Sequence, residues 1–193
     1  MDQAAKVGRP RSEQARTAVL HAVDDLLLEV GYAAMTMKGI AERAGVGRQT
    51  VYRWWSTKAE ILFEASVIDA EQELAVDASG DLAADAAVFV DRLVQFLGQS
   101  PAGAAYRALV GEAQHDPAVA ELVATRDVVC DSARELLAAD GLTAGELDQA
   151  AAALAGPPFF WILTGQDPKG LDVTSLADRF AARGHVRRSG NRR

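Results

Sequence analysis

The sequence has few of the residues from which reactive centres are built. It contains one cysteine, Cys130, so an internal disulfide is excluded. The three histidines, His21, His115 and His185, lie far apart, and no two have the spacing of metal ligands. No phosphate-binding loop, dinucleotide fingerprint or nucleophile elbow is present. We therefore expect no catalytic residue, no metal and no cofactor. These absences make an enzymatic function less favoured than a binding function.

Long apolar runs are also absent. No segment approaches the roughly 20 consecutive apolar residues that a bilayer-spanning helix needs. The first eleven residues are polar and lack the apolar stretch of a secretory signal. Hydrophobic residues make up 49% and charged residues 24%, which is typical of a globular protein with an apolar core. We expect a cytoplasmic protein that has no membrane partner.

Charge is unevenly distributed along the chain. The formal net charge is −7, but residues 1–58 carry 9 basic and 6 acidic side chains. Residues 59–183 carry 7 basic and 21 acidic side chains, and residues 184–193 add 4 arginines. A basic N-terminal part on an acidic body is expected where one end of a protein meets the phosphates of a nucleic acid.

Apolar periodicity and capping residues predict an all-α chain. The first helix is predicted from an N-cap at Ser12 to Gly31, followed by a short helix after Thr36. Further helix starts or breaks are predicted at Gly47, Thr57, Ser79–Asp81, Ser100–Pro101, Asp116–Pro117, Asp140–Gly141, the capping box of Thr143 with Glu146, and Leu176. Pro157 and Pro158 are predicted to kink or restart a helix, and Cys130 lies on an apolar stripe that predicts a buried, inert thiol.

Two short predicted helices meet at Ala44-Gly45-Val46-Gly47. A helix-turn-helix needs a small residue where its helices approach, a glycine where the turn has positive φ, and an apolar residue that anchors the turn. Ala41, Gly45 and Val46 meet these three needs. The spacing predicts a helix-turn-helix that begins near Thr36.

The residues around this turn resemble the DNA-binding signature of the TetR family. The resemblance covers residues 12–63 and includes Ile40-Ala41, Ala44-Gly45-Val46, Thr50-Val51-Tyr52 and Lys58. It implies a three-helix DNA-binding domain over residues 1–58, with a flexible basic arm over 1–11. A helical ligand-binding and dimerisation domain would follow over 59–183, and a disordered basic tail over 184–193.

The resemblance also implies roles for individual side chains toward a double-stranded DNA operator. Arg48 and Gln49 would reach base edges, since arginine suits guanine and glutamine suits adenine. Contacts with phosphates or with a DNA groove are expected from seven further residues, namely Arg9, Arg11, Thr36, Thr50, Tyr52, Trp54 and Lys58. A disordered basic tail is the alternative for the arginines of the arm, and Arg43 and Arg53 are expected to be solvated surface charge. Trp55 is predicted to pack beneath the helix.

Two sets of mostly apolar side chains in residues 59–183 have predicted roles. A ligand pocket is predicted among Phe89, Leu93, Phe96, Tyr106, Val110 and Gln114, with plain core packing as the alternative. A homodimer interface is predicted at Phe159, Phe160, Trp161, Leu176 and Phe180.

Together these features predict a dimeric repressor that a small apolar or aromatic effector releases from a palindromic operator. A ligand-independent regulator or an activator would share every motif named above. An enzyme built on the helical body, or a body that binds a protein partner, are further alternatives.

Overall fold

The computed structural model describes residues 8–138 and 142–190, and the side chains of residues 13–138 and 142–182. Every regular element in these ranges is helical, in agreement with the predicted all-α class. The helices are α1 Gly8–Ala34, α2 Met37–Arg43, α3 Arg48–Tyr52, α4 Lys58–Leu74, α5 Leu82–Gln99, α6 Pro101–Glu112, α7 Pro117–Thr125, α8 Val128–Leu137, α9 Ala144–Leu163 and α10 Val173–Gly190. No helix in the described ranges is long and apolar enough to cross a membrane.

The chain forms two compact units. The first comprises residues 1–68 and 104–125, and the second comprises residues 69–103 and 126–193. The divisions fall inside α4 and α6 and at the end of α7. The first unit therefore contains not only the predicted DNA-binding segment but also most of α6 and all of α7.

The core of the first unit is built by all six of its helices together with Met35, which precedes α2, and Trp55, which follows α3. Ile61 and Leu62 of α4 are fully buried, and burial of one such side chain contributes about 1.5–3 kcal/mol. The other buried members are Val19, Val23, Leu27, Met35, Ile40, Ala41, Val51, Trp55, Ala59, Ala65, Ala105, Leu109 and Val119. Because this cluster includes Ala105, Leu109 and Val119, α6 and α7 complete the apolar core beneath the helix-turn-helix.

In the second unit, α5 packs against α9 and α10, and α8 packs against α9. The apolar stripe of α5 is buried, with Phe89 and Leu93 both at 0% exposure. Asp81 caps α5 by accepting hydrogen bonds from the backbone N–H groups of Ala83 and Ala84. α5 is thus the central helix of this unit.

Several predicted helix ends agree with the structure because they depend on local hydrogen bonds. Gly31 interrupts α1 with φ 76°, and Asp81, Ser100 and Asp116 each accept hydrogen bonds from the first turn of the following helix. Glu146 accepts hydrogen bonds from the backbone N–H and the hydroxyl of Thr143, at 3.0 and 2.7 Å. The Asp140–Gly141 turn lies outside the described residues.

Three predicted boundaries were wrong. α1 begins at Gly8, so Ser12 is not its N-cap and residues 8–11 of the predicted arm have helical backbone. Proline is tolerated in a first helical turn, where its missing N–H is not needed, and Pro10 lies there. α9 continues through Pro157 and Pro158 without restarting, because the φ of proline is itself helical and only two backbone donors are lost.

α10 extends to Gly190 instead of ending near Arg183. The predicted disordered tail is therefore helical backbone through residue 190, and residues 191–193 lie outside the described part. The two arginines of this segment, Arg187 and Arg188, have high helix propensity.

Candidate DNA interface

The turn between α2 and α3 has the geometry that the sequence predicts. Gly45 has φ 66°, a left-handed conformation that a side chain would strain. Its N–H donates to Glu42 O at 3.2 Å, and the N–H of Val46 donates to Ala41 O at 3.0 Å. Ala41 is buried and Val46 packs against the core of the first unit. The turn is thus fixed to the unit by the residues expected to fix it.

The two helices of the motif begin differently. The Thr36 hydroxyl oxygen accepts a hydrogen bond from Gly39 N at 3.0 Å and caps α2, which leaves its O–H free to donate to a phosphate. Gly47 occupies the N-cap of α3 in an extended conformation and provides no side-chain acceptor. Backbone N–H groups of the first turn of α3 are therefore not satisfied by a side chain at this cap.

α3 divides into a buried and an exposed side. Val51 is completely buried and holds the helix to the core. Arg48 and Gln49 are exposed in the first turn, and Tyr52 is 55% exposed. Thr50 is half-buried. The structure thus places Arg48, Gln49 and Tyr52, which were predicted to contact DNA, on one accessible helix.

The two tryptophans after α3 have separate environments. Trp55 is buried, as predicted, and its Nε1–H donates to Glu64 Oε2 at 2.9 Å. Trp54 is half-buried and lies edge-to-face against Trp55, with ring centroids 5.4 Å apart. The guanidinium of Arg53 lies 4.8 Å from the Trp54 ring centroid. Trp54 therefore has a partly exposed ring whose position is fixed on both sides.

Lys58 is held by the protein itself. Its Nζ donates to Tyr32 O at 2.6 Å and to Met35 O at 3.1 Å. The same ammonium lies 4.1 Å from the centroid of the Tyr32 ring, a cation–π contact. The sequence predicted a phosphate contact for Lys58 and gave no sign of these partners, which precede it by 26 and 23 residues.

Apart from Lys58, the cationic side chains of residues 13–58 form two groups according to their ion pairs. Arg43 pairs with Glu29 and Asp25, Arg16 with Glu64, and Lys38 with Glu42. The hydrogen bond from Arg43 lowers the pKa of Glu29.

The other group consists of Arg48 and Arg53. In the described part of the chain, neither has a carboxylate partner among the ion pairs. Because both side chains are exposed and lie on or directly after α3, they are the cations of this segment that are available to an anionic partner. Sequence reasoning treated Arg53 as ordinary surface charge, and only the stacking on Trp54 distinguishes it.

Arg9 and Arg11 of the predicted set lie in the first turn of α1, and their side chains are outside the described part of the structure. Their predicted contacts with the minor groove stay predictions.

The residues predicted to line a ligand pocket are distributed over both units. Phe89, Leu93 and Phe96 share one face of α5 and are at most 1% exposed. Tyr106 is buried, Val110 is half-buried and Gln114 is exposed, and these three belong to the first unit.

A cleft of about 580 Å³ is present in the second unit, at the side of α8. None of the predicted ligand residues lines it. Its lining is mostly charged and comprises Glu71, Arg126, Val128, Asp131, Ser132, Arg134 and Glu135. Arg126 is paired with Glu71, and Arg134 is paired with Asp131 and Asp148, so its cations are already neutralised.

The residues predicted to form the dimer interface lie at the C-terminal end of α9 and in the first half of α10. Phe160 is 70% exposed, which is unusual for a phenylalanine, and Leu163 beside it is 44% exposed. Phe159, Trp161, Leu176 and Phe180 are half-buried, and Trp161 Nε1–H donates to Asp167 O at 2.8 Å. An exposed apolar surface is thus present at the C-terminal end of α9.

Comparison with known proteins agrees with this geometry. The family model described as "Bacterial regulatory proteins, tetR family" matches residues 19–65. An HTH-type transcriptional regulator of Bacillus subtilis, YdeS, is 39% identical over 122 residues, which are 63% of this chain and 61% of YdeS. The chain therefore spans less than two thirds of the length of that relative.

Solved structures extend the likeness beyond the matched segment. The TetR family transcription regulator SCO0332 has a TM-score of 0.63 at 27% identity, over 85% of this chain and 94% of its own. EbrR, described as a multidrug binding protein and solved with imidazole, has a TM-score of 0.63 at 16% identity, over 93% of this chain and 96% of its own. YdeS and SCO0332 are both described as transcriptional regulators. Residues 19–65, which contain the helix-turn-helix of α2 and α3, thus match the TetR family, and the whole chain is similar in fold to regulators of that family.

Proposed function

We propose that this chain is a transcriptional repressor that binds a palindromic operator as a homodimer and is released by a small apolar or aromatic effector. The observation that carries the proposal is the exposed side of α3, where Arg48, Gln49 and Tyr52 are accessible while Val51 fixes the helix to the core. Arg53, beside Trp54, adds a second unpaired guanidinium to the same region.

These side chains suit two different kinds of DNA contact. Arg48 can form a bidentate pair with guanine and Gln49 with adenine, and each such pair discriminates against the wrong base by about 1–3 kcal/mol. The hydroxyls of Thr36 and Tyr52 suit phosphates, which position the protein without reading sequence. α3 has only five residues, so one copy reads few bases.

Dimerisation would double this readout. Two copies related by a two-fold axis would read half-sites about 34–36 Å apart, or a multiple of that distance. The exposed Phe160 and Leu163 of α9 support an interface at that end of the helix, because exposed apolar side chains that adjoin one another are typical of protein–protein contact sites.

The effector response would be a two-state equilibrium. α4 starts at Lys58 beside the helix-turn-helix and continues to Leu74 in the second unit. A molecule that displaced the apolar side chains of α5 would favour a second arrangement of that unit, and α4 would carry the change to α3. The coupling free energy in such systems is typically about 1–3 kcal/mol, which corresponds to a change in operator affinity of about 5–150-fold. That EbrR, which shares the fold, is described as a multidrug binding protein supports screening small aromatic compounds first.

Selection of randomised duplex DNA on the purified protein, over a series of salt concentrations, tests the DNA-binding part. We expect a two-fold symmetric site whose affinity falls steeply with salt, because phosphate contacts release counterions. Tyr52→Ala should weaken binding to the selected site by at least tenfold. Val88→Ala, which alters an exposed aliphatic residue of the second unit, is the matched control and should bind like wild type.

Failure to enrich any site at low salt, also after denaturation and refolding to remove a bound ligand, would refute the proposal. The effector part is tested separately with the selected duplex and a panel of small aromatic and aliphatic compounds. Compounds that bind tightly but leave operator affinity unchanged would favour a ligand-independent regulator.

A further inference from the structure

The end of α3 is joined to α4 by a side-chain hydrogen bond. α3 has five residues, and Val51 is the buried one among them. The chain stays bonded to the helix beyond its end, because the backbone N–H groups of Trp54 and Trp55 both donate to Val51 O at 3.0 Å. The indole Nε1–H of Trp55 in turn donates to Glu64 Oε2 at 2.9 Å. Through Trp55, the placement of α3 therefore depends on a carboxylate of α4.

The Glu64 carboxylate is itself held in place. Its side chain is half-buried, and its Oε1 lies 2.7 Å from Arg16 Nη2 of α1, an ion pair without hydrogen-bond geometry. The two oxygens thus face different partners, one on α1 and one at the end of α3. Because a partly buried charge is costly without a partner, the arginine allows the carboxylate to stay where the indole can reach it.

Apolar packing and this hydrogen bond restrict α3 in different ways. The buried side chains of Val51 and Trp55 hold the helix against the core, but apolar contacts are not directional. A hydrogen bond is directional and weakens steeply when it is bent, so the bond to the α4 carboxylate resists rotation of α3 about its own axis. Arg48, Gln49 and Tyr52 leave the exposed side of that helix, and their directions depend on its rotation.

Contacts with bases are more sensitive to such a rotation than contacts with phosphates. A bidentate pair between arginine and guanine, or between glutamine and adenine, needs two hydrogen bonds to be aligned at once. Attraction to phosphates is mainly electrostatic and independent of sequence. A small rotation of α3 would therefore weaken binding to the operator more than binding to other DNA.

We infer, on the basis of the proposed function, that Glu64 is a positioning residue for base recognition, which fixes the rotation of α3 through the Trp55 indole. It would thereby determine how well the protein distinguishes its operator from other DNA. The alternative is that Glu64 contributes only to folding stability, by accepting from a buried N–H. A loss of stability reduces the amount of folded protein, so it lowers the apparent affinity for every duplex by the same factor. A loss of positioning lowers the affinity for the operator more.

The ratio of the affinities for the selected operator and for a duplex of shuffled sequence and equal length separates these two roles. Glu64→Met keeps an unbranched side chain of similar length and removes the acceptor. We expect it to lower the ratio about tenfold or more, because the base contacts of both half-sites are misaligned. Glu64→Gln keeps an oxygen that can accept from the indole, so the ratio should stay within about threefold of wild type.

The matched control is Glu121→Met, which changes an exposed glutamate of α7 in the same unit. It removes the same negative charge as Glu64→Met without touching the end of α3, and it should keep the wild-type ratio. Trp55→Phe provides a second test in case Glu64→Met does not fold. It keeps an aromatic ring in the core and removes the indole donor, so we expect it also to lower the ratio about tenfold or more.

A wild-type ratio in Glu64→Met, even with weaker binding to both duplexes, would overturn the inference and leave Glu64 a stabilising residue. A Glu64→Gln variant as impaired as Glu64→Met would overturn it too, because the charge and not the acceptor would then matter. A wild-type ratio in Trp55→Phe would show that the indole N–H does not orient α3. If wild type itself prefers no sequence, the proposed function fails, whereas variants that distinguish the operator as well as wild type refute only the positioning role.

Discussion

Gly103, near the start of α6, lies very close to the backbone at the end of α5. A Cβ atom built at Gly103 would lie 1.7 Å from the carbonyl oxygen of Phe96 and 2.5 Å from its carbonyl carbon. Real Cβ atoms do not approach other atoms so closely, and the obstacle is backbone, which cannot rotate away. Gly103 is followed in the same helix by Gly111, whose added Cβ would meet nothing within 4 Å. These two glycines form a matched pair.

Opposite effects are expected from alanine at the two positions. Gly103→Ala must separate the start of α6 from the end of α5, and overpacking of this kind costs about 1–3 kcal/mol or more. We expect a loss of about 3 kcal/mol, which in a chain of this size lowers the melting temperature by about 6–12 °C. Gly111→Ala should gain about 0.5–1 kcal/mol, because alanine favours a helix and the unfolded chain becomes less flexible.

Urea unfolding followed by far-ultraviolet circular dichroism measures both changes. All three proteins should be compared at one protein concentration, because dimerisation makes apparent stability depend on concentration. The expected order of unfolding midpoints is Gly111→Ala, then wild type, then Gly103→Ala. If Gly103→Ala is as stable as wild type, the close approach of the α6 start to Phe96 is refuted.

Two further predictions concern titratable groups. Burial, followed by the charge of Asp127, raises the pKa of Cys130 to about 12, so the thiolate fraction at pH 8 falls about 1000-fold while thiolate nucleophilicity rises only about 30-fold. Iodoacetamide should therefore label the single cysteine at least about 30 times more slowly in the native protein than in urea, and equal rates would contradict this. The hydroxyl and backbone N–H of Ser79 and the N–H of Gly80 donate to Asp85 and lower its pKa, so its contribution to stability is present above about pH 4 and is lost as pH falls through the lowered pKa. The difference in unfolding midpoint between wild type and Asp85→Asn should shrink from pH 6 to pH 3, and a constant difference would show that Asp85 does not act in this way.

The sequence predicted well those helix caps and turns that depend on residues a few positions apart. Thr36 caps α2 through an N–H three residues away, and Gly45 allows the turn because it has no side chain. The capping box of Thr143 and Glu146 is equally local. Such interactions close over three or four residues, so their residue types and spacing are enough to identify them.

Predictions failed where a local rule allowed two outcomes. A proline both starts helices and breaks them, so Pro10 and Pro157 could be assigned only from the observed backbone. The pocket predicted from α5 and α6 stays a prediction, because it depends on helical faces alone, and a face shared by Phe89 and Leu93 is equally typical of a packed core.

The sequence by itself determined that the chain is helical, that α2 and α3 form a helix-turn-helix, and that α3 exposes Arg48 and Gln49. These features follow from spacings of a few residues. Only the tertiary structure decided that Lys58 binds carbonyls 23 and 26 residues earlier. It also decided that α6 and α7 complete the core beneath the helix-turn-helix. These features depend on which distant segments meet, and that is settled by the packing of the whole core and not by any local pattern.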